Sequence, residues 1–155
     1  MGDGPPRWWG IIGAHGGAGA TTVATLLNRD APGRAIELPP GRPMPARRGW
    51  APLVVARSTA YGVSAAARVI AAWPWWQAPR PWLVLVADAP VRPPLAVRYR
   101  LRALEPRTAG TAHVPYLHHL RAVDNPVDAL TVPAVARAAA ALLQQLTTRK
   151  RSEKR

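Results

Sequence analysis

The sequence predicts an α/β fold with a mostly parallel central sheet and helices on both faces, and two observations carry that prediction. Short apolar runs alternate along the chain with segments of helical periodicity, the order that βαβ units require. The run Trp82 to Ala87 (WLVLVA) is apolar at successive positions, which buries both of its faces, as in the middle of a parallel sheet. With 155 residues and 48% hydrophobic content the chain has material for one core, and its length matches one domain. That domain is assigned to residues 1–148, and the basic run at 149–155 is read as a disordered tail.

Strands and helices alternate from the N-terminus onward. Trp8 to Gly13 (WWGIIG) is a short apolar run that ends in glycines, the form of a buried strand entering a loop. Thr21 to Arg29 places Val23, Leu26 and Leu27 at helical spacing. Ala35 to Leu38 is a second short strand, and Pro39 to Arg48 (PPGRPMPARR) is a loop. Pro52 to Arg57 (PLVVAR) reads as a strand, followed by Ser58 or Thr59 as the cap of an Ala-rich helix reaching about Trp73. After the Trp82 strand, Leu95 to Leu104 is a basic helix. His113 to Leu117 (HVPYL) is the last strand, weakened by Pro115. Pro133 to Thr147 is the final helix, with Pro in its first turn and Val135, Ala139, Leu142 and Leu146 on one stripe.

Composition excludes whole classes of function. There is no cysteine, which removes disulfide frameworks, thiol catalysis and cysteine zinc sites. No stretch reaches the roughly 18 to 20 apolar residues of a membrane span. The N-terminus lacks the pattern of a secretion signal, and Pro6 departs from the myristoylation pattern. These features together read as a soluble cytoplasmic domain. The 21 Lys and Arg outnumber the 8 Asp and Glu for a net charge of +13, a field that favours polyanions. Nineteen of the bases are Arg and Phe is absent, a balance that GC-rich coding also produces.

Ligands of parallel sheets sit at the carboxyl ends of strands, and two segments occupy that position. Gly13 to Thr22 reads GAHGGAGATT, between the first strand and the first helix. A phosphate-binding loop needs glycines so that the backbone wraps an anion with its amides pointing inward at a helix N-terminus. Gly16, Gly17 and Gly19 supply that, and Thr21 stands where a hydroxyl reaches a magnesium ion. The second segment is the Trp82 strand, followed by Asp88 and Pro90.

The loop resembles the deviant Walker A motif of ParA/MinD-type ATPases, Lys-Gly-Gly-x-Gly-Lys-Thr-Thr. Gly16, Gly17, Gly19, Thr21 and Thr22 match it, His15 replaces the signature lysine and Ala20 the P-loop lysine. The Asp-x-Pro at Asp88 resembles the family's Walker B strand end, where the aspartate lies near magnesium. Ala112 to Arg121 (AHVPYLHHLR) resembles its late Val/Ile-Pro-Tyr segment. The resemblance implies a P-loop NTPase-like three-layer fold, with ATP and Mg²⁺ as cofactors. It places phosphate on His15, Gly16, Gly17, Gly19, Thr21 and Thr22, with His15 as a partial cation when protonated, and magnesium on Thr21 and Asp88. It also implies a homodimer, although the chain is about a hundred residues shorter than a typical partition ATPase.

Departures from the motif point to a degenerate member. Ala20 offers no charge to the phosphates, and loss of such a contact lowers affinity by about a hundredfold or more. Where the family ends its second strand in Asp-x-Asp, AIELPP keeps Glu37 and puts Pro39 at the second acid. A hydrolase built this way lacks both the lysine and the carboxylate that phosphoryl transfer uses. The reading is therefore a ParA/MinD-like pseudo-ATPase with weak or absent nucleotide binding and no efficient hydrolysis. The resemblance gives it an accessory role in plasmid or mobile-element maintenance or transfer.

Two alternatives stand beside that reading. Arg98 and Arg102 lie one turn apart on the basic helix. With Arg149, Lys150 and Arg151 of the tail they form a stripe that binds nonspecific DNA through its phosphates, independently of nucleotide. The tryptophan-rich turn from Trp73 to Trp82 (WPWWQAPRPW) is the surface for a protein partner in a scaffold reading. His113, His118 and His119 have no acid at ligand spacing, and Ser58, Ser64 and Ser152 lie in no Gly-x-Ser-x-Gly elbow.

Overall fold

In the computed structural model, which describes residues 6–40, 44–45 and 48–148, five strands form one sheet. They are β1 (Trp8–Gly13), β2 (Ala35–Glu37), β3 (Trp50–Arg57), β4 (Trp82–Val86) and β5 (Gly110–Val114), and four helices surround them: α1 (Ala20–Asp30), α2 (Ala60–Ala71), α3 (Leu95–Leu104) and α4 (Pro133–Thr147). The strand order is β2-β1-β3-β4-β5, and every neighbouring pair is parallel. The tail at 149–155 and positions 41–43 and 46–47 of the proline loop lie outside the described residues.

Side-chain alternation divides the core into two layers. Leu53 and Val55 of β3, with Val84 and Val86 of β4, pack under Leu26 and Leu27 of α1 and Val135, Ala139 and Leu142 of α4. The intervening residues, Val54, Ala56, Leu83 and Leu85, face Val63 and Ile70 of α2 and Val97 of α3. A period of two with both phases apolar buries a strand on both faces, so the protein is a three-layer α/β fold. No helix among the described residues is long and apolar enough to cross a membrane.

The largest boundary differences from the sequence reading are at β3 and β5. β3 begins at Trp50, where the indole stacks on Trp8 with ring centroids 5.4 Å apart. Pro52 is tolerated inside this central strand because of its register. Val55 turns its carbonyl to β1, where it accepts from Ala14 N, so Pro52, three residues earlier, faces the β4 side. The first rung with β4 is Leu53 opposite Trp82, and the missing N–H costs no ladder bond. β5 spans Gly110–Val114 rather than His113 to Leu117, because Pro115 ends it. Its start is Gly110, where a Cβ would lie 2.5 Å from the Trp82 ring. His118 and His119 follow in a 3₁₀ turn, with ring centroids 3.9 Å apart.

Each edge strand is clamped by an amide side chain from the helix above it. On β2, Asn28 Nδ2 donates to Ala35 O at 3.0 Å and Asn28 Oδ1 accepts from Ala35 N at 2.9 Å. On β5, Gln145 Nε2 donates to His113 O at 3.1 Å and Gln145 Oε1 accepts from His113 N at 2.8 Å. These side chains take up backbone groups that an open sheet edge otherwise offers to another strand. Partial desolvation there pushes the His113 imidazole below the ordinary histidine range, although the residue keeps some exposure.

The carboxyl ends of the strands are tied to one another. Ala14 N donates to Val55 O, Ser58 N to Val86 O and Ala87 N to Val114 O, at 2.8, 3.1 and 3.0 Å. At the turn from β3 into α2, Thr59 caps the helix by accepting from Gly62 N at 3.0 Å. Gly62 is needed there, since a Cβ would lie 2.1 Å from the Arg57 carbonyl oxygen. That close approach seats the first turn of α2 on the end of β3, the strand paired with β1.

Candidate phosphate-binding site

The loop from Ala14 to Gly19 turns β1 into α1, and two of its glycines have left-handed backbones, Gly17 at φ +75° and Gly19 at φ +96°. L side chains rarely adopt these angles. Gly19 is doubly constrained, because a Cβ there would stand 3.2 Å from Val86 of β4. Gly16 has neither a positive φ nor a crowded Cβ position.

Gly19 is also the N-cap of α1, and no side chain caps the helix. The first amide with an intrahelical partner is Val23, which donates to Gly19 O at 2.9 Å. Those of Ala20, Thr21 and Thr22 lack one, and this end of the helix carries its partial positive charge. The loop and this first turn, with Arg57, line a cavity of about 310 Å³ that includes His15, Gly17, Gly19, Thr21 and Thr22.

His15 lines this cavity with both ring nitrogens held by the backbone. Its Nε2 accepts from the backbone N–H of Arg57 at 3.1 Å, and its Nδ1 donates to Gly16 O at 2.9 Å. With Nε2 engaged as an acceptor by the Arg57 amide, His15 acts as a tie between the loop and β3. Its ring meets the exposed Tyr61 ring edge-on, with centroids 5.3 Å apart.

The cation at the loop is Arg57, a residue that the sequence reading did not single out. Its Nε donates to Gly17 O at 2.9 Å, which holds the guanidinium against the loop with its remaining N–H groups unassigned to any carboxylate. The one ion pair among the described residues is Arg29 with Asp30. Arg57 closes β3, the strand beside β1, and the rule that ligands sit at strand carboxyl ends is the signal that points to it.

The carboxylates fall in different places. Thr21 Oγ1 donates to Glu37 Oε1 at 2.9 Å, joining the first turn of α1 to the end of β2. Asp88 follows β4, which β3 separates from β1. It is exposed, and it does not line the loop cavity. The structure thus brings His15, Gly17, Gly19, Thr21 and Thr22 around one cavity and leaves Asp88 outside it.

Two of the predicted nucleic-acid residues, Arg98 and Arg102, lie on α3. Arg102 is exposed on α3, whereas Arg98 is half-buried with its Nε enclosed and unpartnered. Arg149, Lys150 and Arg151 lie outside the described residues. In the tryptophan turn, Trp73 is 2% exposed and donates from Nε1 to Pro79 O, while Trp76 is 79% exposed. Comparison with protein-family models, curated proteins and solved structures yields no match.

Proposed function

We propose that this chain is a degenerate ParA/MinD-like P-loop protein that holds the phosphates of a nucleotide weakly and hydrolyses it poorly. Its role is accessory, in plasmid or mobile-element maintenance or transfer. The observation that carries the phosphate reading is Arg57. Its guanidinium is fixed on Gly17 O beside the unpaired amides of α1, and offers the positive charge that Ala20 lacks. Charge-assisted contacts of this kind are the strong ones in phosphate recognition.

Binding and turnover make different chemical demands. Magnesium carried with a nucleotide would be met by Thr21 Oγ1 and Glu37 Oε1, hard oxygens 2.9 Å apart. Neither Glu37 nor Asp88 lines the loop cavity, but Glu37 is hydrogen-bonded to Thr21, which does, whereas any part Asp88 takes is indirect. Pro39 occupies the position of the second acid, and no carboxylate lines the loop cavity to orient a water. Retained binding with little turnover is the expected behaviour.

The experiment is a calorimetric titration with ATP and Mg²⁺ joined to an assay of phosphate release. Saturable binding below about 100 μM, a free energy of roughly 5 to 6 kcal/mol or better, with negligible release supports the proposal. Turnover at rates ordinary for an ATPase, or no binding at millimolar nucleotide, overturns it.

A second reading, nonspecific DNA binding independent of nucleotide, is favoured by α3. Arg102 and Tyr99 are exposed on it, a pairing of charge and aromatic surface suited to phosphates and bases. It predicts affinity for DNA that falls steeply with added salt. Salt-insensitive binding would count against it.

A further inference from the structure

We infer that the carboxyl ends of β3, β4 and β5 carry a second anion subsite, formed by Thr22, Arg57 and Arg121, for a phosphate group continuing from the one held by the loop. This inference rests on the phosphate reading of the loop and adds a second set of contacts to the phosphate chain, outside the loop itself.

A cleft of about 130 Å³ opens beside the loop cavity, a volume suited to one anionic group rather than to a nucleoside. Thr22 and Arg57 line both spaces, so the two adjoin. Arg121 closes the far end. It is positioned from two sides: its Nη2 donates to Asp88 O at 3.1 Å, and its guanidinium carbon stands 5.3 Å from the Tyr116 ring centroid. Neither contact neutralises its charge.

Two arginines therefore line one cleft, and among the described residues neither pairs with a carboxylate. Val86, Val114 and Leu120 supply the apolar part of the lining, and reduced hydration beside them strengthens the attraction for an anion. Asp88 contributes its carbonyl to Arg121, while its exposed carboxylate is not part of the lining. An anion in the cleft meets positive charge from both arginines, and the Thr22 hydroxyl supplies a neutral donor where the cleft adjoins the loop.

The test titrates the full chain at low salt with orthophosphate and with tripolyphosphate, for the wild type, Arg121→Ala, Arg57→Ala and Arg102→Ala. The wild type binds tripolyphosphate at least about tenfold more tightly than orthophosphate, as one added charge-assisted contact implies. Arg121→Ala abolishes that preference and leaves orthophosphate affinity unchanged, Arg57→Ala weakens both ligands, and Arg102→Ala preserves the preference. Equal tripolyphosphate affinity in wild type and Arg121→Ala overturns the subsite while the loop reading stands. An equal loss in Arg102→Ala overturns it as well, since the effect is then general charge. If the wild type ignores orthophosphate but loses tripolyphosphate with Arg121→Ala, the loop reading fails and the subsite survives. Binding of neither ligand overturns both.

Discussion

The backbone N–H of Arg57 donates to Nε2 of His15 across 3.1 Å, while the Arg57 side chain reaches back to Gly17 O at 2.9 Å. One residue at the end of β3 thus grips the loop after β1 at two points, two residues apart. Its main chain fixes the base of the loop, and its guanidinium brings positive charge to the rim.

His15 in this arrangement is an acceptor, so the lysine that the motif carries at its position cannot replace it. His15→Lys leaves the Arg57 N–H without its partner, at a cost of about 1 to 3 kcal/mol. Chemical denaturation checks this. A His15→Lys protein as stable as the wild type would show that the tie contributes nothing.

Two glycines separate steric need from sequence resemblance. Gly62→Ala drives a Cβ to within 2.1 Å of the Arg57 carbonyl and is expected to cost about 3 kcal/mol or more, beyond ordinary overpacking because backbone must move. Gly16→Ala meets nothing within 4 Å and should change stability by less than about 0.5 kcal/mol. Thermal melts of the two variants make the comparison directly. Similar melts would mean that the approach of α2 to β3 is not tight.

The amide clamps predict a paired effect at opposite ends of the sheet. Asn28→Ala and Gln145→Ala each free two backbone groups. Each should cost about 1 to 2 kcal/mol and promote association through the exposed edge. Denaturation combined with size-exclusion chromatography reads both consequences. Unchanged stability in both variants would assign the edges to water.

Much of this architecture was legible in the chain, and the exceptions have physical causes. Trp82 onward and Pro133 onward announce a buried strand and an amphipathic helix with Pro in its first turn, and the structure places both there. β5 was harder to locate because its first residues, Gly110, Thr111 and Ala112, carry little apolar volume. Gly110 is present to admit the Trp82 ring rather than to mark a turn. At the site, the glycines and threonines of the loop were readable from local order. Arg57 was not, being one of 19 arginines, and only the strand order sets it beside β1. His15 suggested charge because it stands where a lysine stands in the motif, whereas its acceptor role depends on an amide 42 positions away.

Ala20 lines the loop cavity, at the position of the lysine in the resembling motif. Ala20→Lys should therefore tighten ATP binding by about tenfold or more through a new charge-assisted contact, with hydrolysis still negligible because no carboxylate lines the loop cavity. Calorimetry and phosphate release distinguish the two effects. Unaltered affinity would mean that position 20 does not address the phosphates.

The most direct measurement of the central claim is the affinity for ATP and Mg²⁺ of Arg57→Ala beside the wild type, at matched salt and with folding checked by circular dichroism. The account predicts saturable binding by the wild type and a loss of about tenfold to a hundredfold in the variant, the worth of one charge-assisted contact. Equal affinities in two folded proteins would contradict it, and would leave the glycine loop as a tight turn between β1 and α1.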